Sequence, residues 1–252
     1  MEYYGLIGKK LVHSFSKGYF SDKFKNSRID AQYDLIEIQV IDEIEEILSD
    51  SKYSGLNVTI PFKQQIIPFL DELSPEAEDI GAVNTISFSR DGKTFLRKGW
   101  NTDAPAFESE ILEFTGNKPA QAIILGSGGA ALAAESVFRN LGWDYLMASR
   151  NKSSGNIITY KDLPEVLLNG YALLVNATPL GMYPDVDSIP DIPWHLIDDK
   201  CLLFDMVYNP ETTRFLAEGK KRGAAVRNGL GMLTKQAELA WKIWQSNKSQ
   251  EK

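Results

Sequence analysis

Apolar positions along the chain change period several times, and the changes outline its elements. "YYGLIG" (residues 3–8) is an apolar run stopped by glycine and predicts a strand. In "SFSKGYFSDKFKNS", Phe15, Tyr19, Phe20 and Phe24 recur at helical spacing. "AQYDLIEIQ" alternates polar and apolar, as a strand does, and "IDEIEEILSD" puts Ile41, Ile44, Ile47 and Leu48 on one helical stripe. "SGLNVTI" reads as the next strand, with Asn57, Val58, Thr59 and Ile60 in a buried run that Pro61 ends. Helices between strands favour parallel pairing. "AVNTISFSRDGKTFLRKGWN" departs from this, because two β-rich runs flank Asp91-Gly92, a hairpin turn.

After "NTDAPAFESEILEF" the pattern restarts, which places a domain boundary near Asp103. "KPAQAIILGSGGAALAAESVFRNLGWDYLMASRN" reads strand, glycine turn, helix, strand. "ALLVNATPLGM" and "CLLFDMVY" are further buried strands, "AAVRNG" is a last short one, and "GLGMLTKQAELAWKIWQ" is a terminal amphipathic helix. The prediction is an α/β chain of two α/β domains. The first, residues 1–102, has a mostly parallel sheet, and the second, residues 103–234, is Rossmann-like.

Composition narrows the class. A chain of 252 residues can bury one large core or two modest ones. A net charge of −7 argues against nucleic acid or an anionic membrane as partner, since both favour a basic surface. Cys201 is the sole cysteine, so neither an intrachain disulfide nor a cysteine metal cluster can form. His13 and His195 are too few for a His-rich site, and no metal is expected. No apolar run approaches the ~20 residues that span a bilayer. "MEYYGLIGKK" lacks the basic start and apolar middle of a signal peptide, so a cytoplasmic protein is expected.

The glycine turn carries the first candidate chemistry. Gly126 to Ala131, "GSGGAA", fits G-x-G-x-x-G/A between a predicted strand and helix. Gly126 permits the tight turn, Gly128 lets the backbone reach a pyrophosphate, and Ala131 allows close helix–strand packing. The helix N-terminus offers free N–H groups to the phosphates. The competing reading is a purely structural βαβ turn. NAD sites place an acid about 20 residues further on, for the ribose 2′-hydroxyl. Here "MASRN" has no acid and presents Arg150, whose guanidinium suits a 2′-phosphate, so NADP is favoured over NAD.

In the first half, Ser14 and Ser16 of "HSFS" follow a glycine-ended strand and precede a helix. They either hold a carboxylate or cap the helix. Asn84 in "AVNT" and Asp103 in "WNTD" end apolar runs, where turn formation is the ordinary reason. Lys63 stands just past "NVTIPF", and is either solvated or the charged group of a cleft.

In order along nearly the whole chain, "GLIG" with "HSFS", "NVTIPFK", "GAVNT", "NTD", "GSGGAA", "NATPLGM", "DMVYNP" and "NGLGMLTKQA" resemble the motifs of the shikimate dehydrogenase family. The resemblance implies a two-domain enzyme of aromatic amino-acid (chorismate) biosynthesis that reversibly reduces 3-dehydroshikimate to shikimate with NADPH. It would work as a monomer or homodimer. The terminal helix, about residues 235–252, would pack back on the first domain. By motif, Ser14 and Ser16 would bind the substrate carboxylate, and Thr59, Asn84 and Gln236 the ring hydroxyls, with Tyr208 also touching substrate. Lys63 and Asp103 would form the catalytic pair. Gly126, Gly128, Gly129 and Ala130 would cradle the pyrophosphate and Arg150 the 2′-phosphate, with Ser127, Ser149 and Asn151 also on the cofactor. Gly229 and Met232 would line the nicotinamide pocket.

Departures from the family pattern are Lys17 in place of proline, Ala104 of glycine and Ser149 of asparagine. "NKSSGN" also lacks a second arginine, for which Lys152 is the candidate substitute. Alternatives are a quinate/shikimate dehydrogenase, a methylenetetrahydrofolate dehydrogenase or a non-catalytic NADP-binding sensor. Whether Lys63 is an acid–base group or an electrostatic clamp stays open, because a carboxylate partner raises a lysine's pKa and burial lowers it.

Overall fold

Strands form where short apolar runs end in glycine or a turn, and helices where apolar residues recur every three or four positions. This is seen in the computed structural model, which describes residues 1–12, 14–91, 94–150 and 155–250. The chain divides into two units: Met1–Thr102 together with the chain from Ala237, and Asp103–Gln236.

The first unit contains β1 (Glu2–Gly8), α1 (Phe15–Asn26), β2 (Ala31–Glu37), α2 (Ile44–Ser49), β3 (Tyr53–Val58), β4 (Glu72–Leu73), α3 (Pro75–Ile80), β5 (Thr85–Asp91) and β6 (Thr94–Trp100). Its sheet runs β2-β1-β3-β5-β6-β4. β1 pairs in parallel with β2 and β3, and β4 with β6, while β5 is antiparallel to both β3 and β6. The β5–β6 hairpin therefore makes the sheet mixed; its tip, including Gly92, lies outside the described residues.

The second unit contains α4 (Asp103–Thr115), β7 (Ala122–Leu125), α5 (Gly129–Leu141), β8 (Tyr145–Ser149), β9 (Ile157–Thr159), α6 (Leu163–Leu168), β10 (Leu173–Asn176), β11 (Leu202–Asp205), α7 (Arg214–Lys221) and β12 (Ala225–Asn228). All its strand pairs are parallel, in the order β12-β11-β10-β7-β8-β9. Counted from β7 this is the Rossmann order 3-2-1-4-5-6, with the switch point between β7 and β10. β7 and β10 are buried along their whole length, which is why each reads as a nearly unbroken apolar run.

The last helix, α8 (Leu230–Gln250), starts in the second unit and continues into the first. There Ala237, Ala240 and Trp244 pack with Tyr4, Phe20, Phe24 and Tyr33. Trp244 is buried and its Nε1 donates to the Ile86 carbonyl at 3.0 Å. Burying one such large side chain stabilises by about 1.5–3 kcal/mol.

Some expectations need correction. The run "NVTI" is not strand throughout: β3 ends at Val58, Thr59 is half-buried and Ile60 is 57% exposed. The chain leaves the sheet at Thr59, whose N–H is the last to bond β1, donating to the Ile7 carbonyl at 2.9 Å. The short elements β4, α3, α6, α7 and β9 add to those outlined above. Cys201 is buried and His195 exposed, while His13 lies outside the described residues.

Candidate active site

Candidate residues of the first unit gather at one edge of its sheet. β5 is antiparallel to β3, and the pairs Asn57 with Thr85 and Thr85 with Trp100 bring three chain ends together. The end of β3 leads to Thr59 and Lys63, the start of β5 follows Asn84, and the end of β6 leads to Thr102. The end of β1 leads to Ser14 and Ser16.

Ser14 occupies the N-cap position of α1, yet its hydroxyl makes no capping bond. Its Oγ is buried and has no hydrogen-bond partner among the described residues. A buried hydroxyl left unpaired costs about 1–3 kcal/mol, so a reason other than capping is needed for it. Ser16 is buried, and its hydroxyl bonds the Tyr33 phenol. Burial drives that phenol's pKa far above its ordinary range, so Tyr33 stays neutral and donates to Asn57 Oδ1 at 2.8 Å.

Lys63 is half-buried in the turn after β3, and its carbonyl accepts from Val83 N–H at 2.7 Å. Phe62 beside it is buried and anchors that turn in the core. Asn84 is 3% exposed. Its Oδ1 accepts from Thr102 N–H at 2.8 Å, and its Nδ2 donates to Thr102 Oγ1 at 2.9 Å. Asn84 thus holds the residue immediately before Asp103, a contact with no local signal in the sequence.

In the second unit the candidates follow the carboxyl ends of the parallel strands, where open α/β sheets place their ligands. Gly126 has φ +118, a left-handed conformation that glycine adopts without strain. Gly128 precedes α5 in extended conformation, and a Cβ there would meet nothing within 4 Å. The backbone at Gly128 is therefore open to a ligand, and α5 presents its first N–H groups beside it. Ser127 is exposed, Gly129 and Ala130 are half-buried, and Ala131 is fully buried against the sheet.

Ser149 ends β8 and Arg150 follows it, exposed. Burial raises the Tyr160 phenol's pKa, and the charge of Arg150 opposes that rise. Asn151 and Lys152 lie outside the described residues. Asp103 is buried at the first position of α4. Tyr208 is half-buried beyond β11. Gly229 packs so closely that a Cβ would lie 2.4 Å from the Met206 carbonyl oxygen. Met232 is buried and Gln236 half-buried on the first turns of α8.

Beneath these ends, Asp205 is fully buried. It accepts from Val207 N–H and Asn176 Nδ2, both at 2.9 Å, and from Thr213 Oγ1 at 2.5 Å. Burial pushes its carboxyl up to about 6 against the pull of these donors. Among the described residues no cluster of His, Cys, Asp or Glu could hold a metal ion, and no helix is long and apolar enough to cross a membrane.

Comparison with known proteins adds to this geometry. Residues 6–86 match the family described as shikimate dehydrogenase substrate binding domain. A shikimate dehydrogenase (NADP(+)) of Clostridium beijerinckii is 38% identical, the alignment covering 97% of this chain and 92% of that protein. The chain belongs to the shikimate dehydrogenase family. Solved members have the same fold. Shikimate dehydrogenase 1 of Peptoclostridium difficile superposes with a TM-score of 0.86 at 35% identity, covering 98% of this chain and 92% of that one. The Thermus thermophilus enzyme, crystallised with NADP(H) and shikimate, gives 0.83 at 30% identity, covering 98% and 94%.

Proposed function

We propose that the chain is an NADP-dependent oxidoreductase that reversibly reduces 3-dehydroshikimate to shikimate. Residues 1–102, with the C-terminal helix, form the substrate-binding domain, and residues 103–234 the NADP-binding domain. The observation that carries the substrate assignment is Ser14: a buried hydroxyl, neither capping its helix nor otherwise paired among the described residues, in the segment that matches the family's substrate-binding domain. A carboxylate supplies the acceptor that this hydroxyl lacks.

The second unit's turn fits NADP. Gly126 holds the turn, Gly128 leaves its backbone accessible, and Arg150 rather than an acid follows β8. When bound, NADP(H) supplies or accepts the hydride. The chain's residues do the rest. Ser14 and Ser16 hold the carboxylate, and Thr59, Asn84, Tyr208 and Gln236 orient the ring. Lys63 hydrogen-bonds the reacting oxygen, stabilises charge developing there and passes the proton, while Asp103 orients the amine. Gly229 and Met232 shape the nicotinamide side, and Ser149 and Asn151 flank Arg150 at the phosphate.

The test is a panel of shikimate, quinate and methylenetetrahydrofolate, each with NADP and NAD, following cofactor reduction. Shikimate with NADP is expected to give the highest kcat/KM. A preference for quinate or NAD would reassign the specificity, and no turnover with any pair would leave a binding protein.

A further inference from the structure

A charged cluster outside the proposed chemistry joins α4 to the start of α8 within the second unit. Glu110 is 7% exposed, two turns along α4 from Asp103. Its Oε1 lies 2.6 Å from Lys235 Nζ and its Oε2 3.4 Å from Arg227 Nη1. Arg227 Nη1 also donates to the Glu110 carbonyl at 3.2 Å, and its Nη2 to Glu113 Oε1 at 3.1 Å. Lys235 Nζ donates to Ser109 Oγ at 2.8 Å as well. The carboxylate rests directly on the first turn of α8, where a Cβ at Gly231 would lie 2.5 Å from Glu110 Oε2. Several forces therefore converge on one buried carboxylate: a lysine, an arginine, a backbone bare of side chain, and the positive end of a helix.

That same stretch of α8 carries Met232 and Gln236, one turn apart, which directly follow Gly231 and Lys235 in the chain. We infer that Glu110 is a positioning residue: by clamping Lys235 and the backbone at Gly231, it sets where Met232 and Gln236 stand relative to Asp103 on its own helix. A buried charge fits this task because its partners must meet it closely or leave it unpaired, so the first turn of α8 has one favourable seat. The inference rests on the assignment of Gln236 and Met232 to substrate and nicotinamide.

Glu110→Gln and Lys235→Met, singly and together, test it in the full-length protein, with kcat and KM for shikimate, direct titration of NADP, and Tm read side by side. Each single change is expected to lower kcat/KM for shikimate about tenfold, with the NADP dissociation constant within about twofold of the parent. The double change is expected to be no worse than the worse single, because the two act as one pair. Lys235 is 38% exposed, so its variant tests the inference even if Glu110→Gln fails to fold. Unchanged kcat/KM well below a lowered Tm would make the pair a structural staple and overturn the inference. Gln236→Ala separates the two levels. If it raises KM while the pair variants are silent, the positioning role alone falls. If it too is silent, the assignment of Gln236 falls, and the inference with it.

Discussion

In the first unit the buried polar side chains at the site edge are neutral amides and hydroxyls, linked from Tyr33 through Asn57 and Thr85 to Asn84 and Thr102. In the second, a carboxylate, Asp205, is the buried hub beneath the strand ends, and a second carboxylate, Glu110, braces α8. The difference follows from how each site is assembled. The glycine turn between β7 and α5 is local: a few consecutive residues and a helix end shape the phosphate seat. The first unit's site draws on four separated chain segments, and hydrogen bonds between distant residues hold them in register. Neutral groups suit that task, since each amide both donates and accepts and no buried charge needs compensation.

The largest expected effect falls on the charge at the first unit's edge. Lys63→Met should lower kcat at least about a hundredfold, while shikimate and NADP still bind. Methionine keeps much of the stem's apolar volume, so folding should survive. Near-normal kcat would reduce Lys63 to a solvated side chain and remove chemistry from that edge. Asp103→Asn should also be slow, and the double variant less than additive if the two act as a unit.

The second effect sharpens the local character of the other site. Arg150→Asp should weaken NADP by about 1–4 kcal/mol and leave NAD nearly unchanged, because it removes a charge-assisted phosphate contact and adds repulsion. Equal changes in KM for both cofactors would take Arg150 out of the phosphate site.

How far each site can be read from sequence follows the same division. Gly126, Gly128 and the apolar runs of β7 and β10 announce a Rossmann-like unit because strand, turn and helix are contiguous. Trp244 and the aromatic stripe of α1 are likewise legible from spacing. Ser14 is ambiguous in sequence, since a serine before a helix looks the same whether its hydroxyl caps or waits for a ligand; only its three-dimensional surroundings separate the two. Asn84 looks like a turn former in sequence because its partner, Thr102, lies eighteen residues away. Glu110 and Lys235 carry no joint signal at all, being brought together by the packing of α4 on α8. At Ile60 the apolar run continues past the point where the ladder stops.

A smaller effect tests the carboxylate hub. Asp205 has a carboxyl raised to about 6 in the folded state against 3.8 ordinarily, so its favourable contribution is full below the ordinary value and is lost as pH rises through 6. Stability should therefore decline across roughly pH 4 to 6 by up to about 3 kcal/mol from this group. Asp205→Asn should flatten that slope in denaturant melts, and an unaltered slope would assign it to other groups.

Calorimetric titration of shikimate into Ser14→Ala, with NADP titration and Tm measured on the same preparation, tests most directly the claim that the first unit's edge is built for a substrate carboxylate. The variant deletes one donor to a charged group, so shikimate binding should weaken by about 1.5–3 kcal/mol, roughly ten- to 150-fold, with NADP binding nearly unchanged and Tm unchanged or raised, since the ligand-free protein loses an unpaired buried hydroxyl. An unchanged dissociation constant together with a lowered Tm would contradict the account and return Ser14 to the role of a helix cap.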